Sequence, residues 1–159
     1  LYGGGKYCIN PDLYVVIDAR EADRLCRCSM DKTQGVKKRL AACLDALKLY
    51  GGPCLVNSEQ SAYIELLRAQ YDAVYRALLR QVFPLMREAG DYSGAGTVCR
   101  SALLVCPEDT EIHELIITSL LSANCTAEAV AHYTSVAVAL ANTENRLPEF
   151  GSFLERSGT

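Results

Sequence analysis

Apolar and polar positions follow the same order twice along this chain, at an offset of 34 residues. When residues 78–102 are aligned with residues 112–136, apolar residues coincide on two stripes that have helical spacing. Between the stripes, Gly90 aligns with Asn124, and these two residue types best tolerate the left-handed backbone that often follows a helix. The pattern therefore predicts two copies of an antiparallel helix pair, each closed by a tight turn.

The helical period of apolar residues begins after residue 17, so the chain is predicted to be all-α after a short extended N-terminal segment. Gly3-Gly4-Gly5 indicates a hairpin turn within that segment. A long third helix is expected to begin at Ser58 and to kink near Arg80–Phe83, because Pro84 removes a backbone hydrogen bond. Asp91 is expected to begin the fourth helix. The other predicted helices cover residues 18–30, 33–50, 92–105, 110–123, 126–141 and 147–156.

A 34-residue period built on a helix–turn–helix unit is the signature of the tetratricopeptide repeat. Such units stack so that neighbours bury a shared apolar face, and they generally hold partners rather than carry out chemistry. The expected architecture is therefore tetratricopeptide-like, with about six to seven helices stacked as antiparallel pairs. A binding function is favoured over catalysis.

Composition narrows the class of protein further. The chain has 159 residues and a formal net charge of −3, so it lacks the overall basic surface of a module that grips DNA. No apolar stretch approaches the roughly 18–20 residues of a transmembrane helix, and no signal peptide is visible. The chain starts at Leu1 rather than at methionine, so we expect an excised piece of a longer protein. No membrane partner is expected.

The eight cysteines are interpreted as reduced thiols in a cytoplasmic protein. Cys43, Cys99 and Cys125 occupy positions where a helical repeat needs a small apolar residue. Cys26-x-Cys28 is the only close pair, and it lacks the ligand spacing of a zinc site. No metal and no cofactor are expected. A less favoured hypothesis is that Cys26 and Cys28 act as a thiol redox sensor.

Catalytic residues are not expected either. His113, His132 and the cysteines are the candidates, and a thiol nucleophile needs a depressed pKa and a nearby base. His113 aligns with Leu79 one period earlier, which indicates a packing position with a structural hydrogen bond to the neighbouring helix pair. His132 is predicted to lie at the boundary between core and solvent.

Three blocks of sequence are similar to one known family. In the first block, residues 46–53, a helix with the pattern A-L-x-L-aromatic ends at x-G-P. The second block, residues 66–95, follows the pattern L…Y…L…G-x-Y-x-x-A. The third block, residues 99–133, follows C-R-x-A-L…P-x-D-x-x-x-H-x-x-L…A…Y. In these blocks the chain resembles the bacterial transcriptional activator domain of SARP-type antibiotic regulatory proteins. It departs from the family at Tyr50, where the pattern has tryptophan. The resemblance implies structural roles for Gly51, Pro53, Tyr71, Gly90, Ala95, Leu103, Pro107, His113, Leu115, Ala129 and Tyr133.

The resemblance also implies a domain organisation and a function. Residues 4–9 are similar to the last wing strand of a winged helix, so residues 1–12 are expected to be a remnant of a preceding DNA-binding domain or a linker. Residues 13–159 would form the activator domain. Such a domain assists dimerisation and productive contact with RNA polymerase, while promoter DNA is read by the winged helix that is missing here.

Arginines on the third helix suggest where a partner could bind. Arg76, Arg80 and Arg87 share one helix face, which could form a cationic groove together with Tyr75. The alternative function is therefore a peptide-binding adaptor, unrelated to transcription, that takes acidic peptides on this face.

Overall fold

The computed structural model describes residues 2–3, 6–7, 18–50 and 61–157 of the chain. The two short strands, β1 (Tyr2–Gly3) and β2 (Lys6–Tyr7), pair antiparallel. Every other regular element that the structure describes is a helix, which confirms the predicted all-α, tetratricopeptide-like fold. The helices are α1 (Asp18–Met30), α2 (Val36–Lys48), α3 (Ala62–Ala89), α4 (Ala95–Val105), α5 (Thr110–Ser122), α6 (Thr126–Ala139) and α7 (Phe150–Ser157).

The helices stack in two layers. The pairs α1–α2, α3–α4 and α5–α6 each form a hairpin. The odd-numbered helices contact one another in order from α1 to α7, and the even-numbered helices do so from α2 to α6. This is the arrangement of a helical-repeat solenoid, in which each unit buries its apolar face against its neighbours.

The two turns predicted from the 34-residue period have the same geometry. Gly90 has φ of 64° and directly follows α3, whereas Asn124 has φ of 59° and follows α5 after one intervening residue, Ala123. In each turn the residue that follows donates its amide to the carbonyl five residues earlier, from Asp91 to Met86 at 3.1 Å and from Cys125 to Leu120 at 2.9 Å. This is the Schellman pattern, which satisfies carbonyls at a helix end.

The 34-residue period also predicts which residues of α3 and α5 form the hydrophobic core. The aligned pairs on α3 and α5 are all at most 3% exposed, as the alignment of their stripes predicts. These pairs are Leu78 with Ile112, Val82 with Ile116, Phe83 with Ile117, and Met86 with Leu120. At the end of the stack, the fully buried Phe153 of α7 and Phe150 surround the Tyr133 ring, with ring centroids 6.2 and 5.2 Å away.

Several helix boundaries differ from the predicted ones. Two helices begin later than predicted, because a side chain holds a turn just before each of them. The Asp31 carboxylate accepts from the Thr33 amide at 3.0 Å, so α2 begins at Val36 rather than at residue 33. The Asp91 carboxylate accepts from the Ser93 amide at 2.9 Å, so Asp91 forms a turn and α4 begins only at Ala95. α6 ends at Ala139, two residues earlier than predicted.

The long helix α3 begins, within the described residues, at an N-cap on Ser61, whose hydroxyl accepts from the Ile64 amide at 3.3 Å. The predicted cap Ser58 lies outside the described residues. α3 continues through Pro84 as one helix of 28 residues. The kink expected near Pro84 stays a prediction. No helix in the described part of the chain is both long and apolar enough to cross a membrane.

Candidate partner-binding groove

A groove lies between the neighbouring helices α3 and α5 of the odd-numbered layer. Its cavity volume is about 290 Å³. We call it the α3–α5 groove, and its lining is Phe83, Pro84, Arg87, Tyr92, Leu115, Thr118, Ser119 and Ser122. α3 contributes three residues within about one helical turn, α5 contributes four, and Tyr92 comes from the turn between α3 and α4.

The groove combines an apolar lining with one cation. Phe83 is almost fully buried, whereas Leu115 remains 39% exposed although it is a large apolar residue. Leu115 lies off the buried stripe of α5, which runs through Ile112, Ile116 and Leu120. Helical spacing by itself indicates a surface position for Leu115. The family pattern instead implied a structural role for this residue. Sequence reasoning missed Leu115, Phe83, Pro84 and Tyr92 as groove residues.

The three arginines of α3 that the sequence assigned to a groove fall into two groups. Arg76 is half-buried and forms an ion pair with Asp109, the N-cap of α5, so it holds α3 against α5. Arg80 and Arg87 are exposed, and within the described ranges neither guanidinium has an ion pair or a hydrogen bond. Arg87 lines the groove, and Arg80 lies seven residues earlier on the same face. Two of the three predicted arginines thus remain available to a partner.

Tyr75 does not belong to the groove, contrary to the sequence-based hypothesis. Its side chain is only 5% exposed, and its ring packs edge-on against the Tyr50 ring with centroids 4.5 Å apart. Tyr50, which replaces the tryptophan of the family pattern, is also buried, and its hydroxyl lies 3.4 Å from the Asp72 carboxylate. The pair therefore fills the space between α2 and α3, so Tyr75 cannot contact a partner.

A second, wider cavity of about 490 Å³ lies at the Arg76 end of α3. Its lining includes Glu108 and Asp109 besides Arg76, and Asn145 donates to the Glu108 carbonyl at 3.3 Å. Because Arg76 is already neutralised by Asp109, this cavity offers no free cation. It is a less suitable place for an acidic partner than the α3–α5 groove.

The two histidines form a buried pair beside the α4–α5 connection. His113 Nε2 lies 3.2 Å from the Pro107 carbonyl, and His113 Nδ1 lies 3.2 Å from His132 Nε2. Burial lowers the pKa of His113, and burial followed by the neighbouring His113 lowers the pKa of His132 to about 4. His132 is 2% exposed, so its predicted boundary position is wrong. Two neutral, buried rings hold helices together and do not face a substrate.

Cys43, Cys99 and Cys106 are buried or half-buried thiols rather than activated thiolates. Burial raises the pKa of Cys43 to about 12 and that of Cys99 and Cys106 to about 11. Cys26 and Cys28 lie two residues apart on α1, a spacing that puts side chains on different faces of a helix. The structure therefore does not bring this pair together as a redox sensor would need. Among the described residues, no group of three histidine, cysteine or carboxylate side chains could hold a metal ion.

The remaining positions of the family pattern are placed as follows. Ala95 and Ala129 are buried at helix contacts, Tyr133 packs against α7, and Leu103 and Tyr71 are half-buried. Pro107 is exposed, and its carbonyl contacts His113. Gly51 and Pro53 lie outside the described residues.

Stacked helix pairs with an open groove between two of them define a helical-repeat domain of the kind that binds other macromolecules. In a comparison with protein families, residues 17–144 match the bacterial transcriptional activator domain, and the chain belongs to this family. The family gives the chain a role in bacterial transcriptional activation. No curated protein matches the chain, and no solved structure does.

Proposed function

We propose that this chain is the non-catalytic regulatory and protein-interaction domain of a cytoplasmic, DNA-binding transcription activator. In that role it supports the association of activator copies on promoter DNA and the contact of the activator with RNA polymerase. The observation that carries the proposal is the α3–α5 groove, an open surface between two repeats in a chain that belongs to an activator family. Repeat solenoids use such surfaces to bind other proteins.

Promoter DNA, in this proposal, is bound by a winged-helix domain that precedes the described helices. The antiparallel pairing of β1 with β2 supports the interpretation of residues 1–12 as a wing remnant. The net charge also supports DNA binding by the winged-helix domain rather than by this chain. With a net charge of −3, the chain would be repelled by phosphate backbones rather than attracted to them.

The test is a promoter reporter driven by the full-length activator and by a version that lacks residues 17–144. Deletion is expected to abolish activation while the winged-helix domain still shifts promoter DNA in a gel. Transcription in vitro with purified RNA polymerase is expected to show the same loss. Unchanged activation without the domain would refute the proposal.

A second candidate function is the peptide-binding adaptor unrelated to transcription, which the unpaired Arg80 and Arg87 favour. Calorimetry with Arg80→Glu distinguishes the two functions. Loss of peptide binding without any change in self-association or promoter activation would support the adaptor. A parallel loss of activation would support the transcriptional role.

A further inference from the structure

The geometry points to an acidic protein segment with one apolar anchor side chain as the partner that the α3–α5 groove binds. This inference rests on the proposed function as a protein-interaction domain and names the chemical class of its partner. In the bound state, the anchor would lie between Phe83 and Leu115, and a carboxylate of the segment would pair with Arg87.

The size of the groove favours a side chain over a small-molecule ligand. Its volume of about 290 Å³ lies at the lower limit of the roughly 300–1,000 Å³ typical of ligand and cofactor pockets. Phe83, Pro84, Tyr92 and Leu115 come from three different segments and line the cavity with apolar surface. An aromatic or branched aliphatic side chain inserted there would bury the exposed part of Leu115, which is how anchor residues contribute most of the energy of small interfaces.

The charges around the groove favour a partner that carries negatively charged side chains. In the described part of α3, Arg76 is neutralised by Asp109, whereas Arg80 and Arg87 have no counter-charge. The carboxylate next to Arg87, Glu88, extends toward α2, where it lies 4.0 Å from the Arg39 guanidinium. A carboxylate on the partner would therefore supply the missing counter-charge, and an arginine fork can hold it through two hydrogen bonds.

One acidic residue sets the orientation of the partner. Glu111 lies one turn before Leu115 on α5 and is exposed. It would repel an acidic segment at the end of the groove near the α5 N-terminus. The carboxylates are therefore expected to concentrate beside Arg87, at the end of the groove formed by Thr118, Ser119 and Ser122. The Ser122 hydroxyl already donates to the Thr118 carbonyl at 2.8 Å, so it is not a free donor.

A nucleic acid is a poorer match for this surface. Arg87 in the lining and Arg80 two turns away neutralise few phosphates, and affinity for nucleic acids depends on many such contacts. The apolar lining would stay unused along a phosphate backbone. Duplex DNA is therefore a competitor in the test rather than the expected ligand.

The test uses the 159-residue chain and a short fluorescein-labelled peptide in which aspartates flank a central phenylalanine and leucine. Fluorescence anisotropy is expected to give a dissociation constant in the micromolar range. Two control peptides isolate the two contributions: one replaces the aspartates with asparagine, and the other replaces the phenylalanine and leucine with serine. Both are expected to bind at least about tenfold more weakly.

Variants of the chain locate the binding surface. Arg87→Glu and Leu115→Ser are each expected to weaken binding at least about tenfold. The matched controls are Arg100→Glu and Leu104→Ser, since both residues are exposed on α4 in the other layer. Both controls are expected to bind like the unaltered chain. Circular dichroism checks that every variant is folded, and Arg87→Gln replaces Arg87→Glu if the charge reversal prevents folding.

Three results would overturn the inference: no peptide binding, equal losses with Arg87→Glu and Arg100→Glu, or displacement of the peptide by duplex DNA. Its failure is distinct from failure of the proposed function. If deletion of the domain abolishes promoter activation while the peptide does not bind, the transcriptional role stands and the partner class is wrong. If the peptide binds through Arg87 while activation does not need the domain, the partner class stands and the transcriptional role fails.

Discussion

His113 and His132 form a buried pair in which the contacts determine where the protons lie. His113 Nε2 must donate to the Pro107 carbonyl, because a carbonyl oxygen only accepts. In the neutral ring, His113 Nδ1 is then an acceptor, so His132 Nε2 must be the donor across the 3.2 Å contact. His132 Nδ1 is left as a buried acceptor without a partner in the described structure. Burial, which lowers the pKa of both rings, keeps them neutral in this arrangement.

The first prediction follows from this pair and concerns pH. Both folded-state pKa values lie below the ordinary histidine value of 6.5, and that of His132 is about 4. Between these values, the unfolded chain binds more protons than the folded chain. Stability should therefore be complete above the unfolded pKa and fall as the pH decreases toward about 4, with a slope of up to about 1.4 kcal/mol per pH unit for each histidine. Urea unfolding followed by circular dichroism measures it.

The control for the pH prediction is His132→Leu, which removes the more strongly perturbed ring. Its stability is expected to depend less steeply on pH between about pH 6.5 and 5. Since lowered pKa values of exposed carboxylates act at lower pH, this window isolates the histidines. A free energy of unfolding that is the same at both ends of the window in the unaltered chain would contradict the prediction.

The second prediction concerns the turn at Gly90. A Cβ at this position would touch nothing within 4 Å, so the cost of Gly90→Ala comes from the left-handed backbone alone. We expect a loss of about 1–2 kcal/mol in the free energy of unfolding. Gly96→Ala is the matched control, because the same change occurs in open space inside α4. It should stabilise the chain by about 0.5–1 kcal/mol, and a gain at Gly90 as well would refute the role of the turn.

The third prediction separates the two roles of Asp109. Its side chain caps α5 by accepting from the Ile112 amide at 3.2 Å, and it also pairs with Arg76. Asp109→Asn keeps a capping oxygen and loses the charge, so it should cost below about 1 kcal/mol for a partly exposed ion pair. Asp109→Ala loses both the capping oxygen and the charge, and it should lower the free energy of unfolding by about 1–2 kcal/mol more than Asp109→Asn does. Urea unfolding of both variants measures the difference, and equal losses would show that the cap contributes nothing.

The fourth prediction concerns close packing at Gly94, which precedes α4. A Cβ there would lie 2.6 Å from Leu44 Cδ1 on α2. Gly94→Ala should therefore destabilise the chain by about 0.5–1.5 kcal/mol, because the half-buried Leu44 side chain must leave its rotamer to make room. Gly35→Ala is the matched control, because Gly35 also precedes a helix but has nothing within 4 Å. If both variants lost the same stability in thermal unfolding, contact with Leu44 would not be the cause.

Local interactions explain why so much of the fold could be read from the sequence. The left-handed turns at Gly90 and Asn124 depend on the intrinsic backbone preferences of those residues. The Asp109 cap depends on an amide three residues later, and the buried stripes of α3 and α5 depend only on helical spacing. α2 and α4 begin later than the sequence pattern predicts, because the Asp31 and Asp91 carboxylates accept from amides two residues later and hold turns there.

The sequence by itself determined the helices, the repeat period and the family, since each rests on contacts within a few residues or on an ordered pattern. Only the tertiary structure decided which side chains face a partner. Tyr75 is removed from the surface by Tyr50, Arg76 is neutralised by Asp109, and Leu115 becomes the exposed wall of a groove. These outcomes depend on which helix faces meet when the repeats stack, and residues distant in sequence make those contacts.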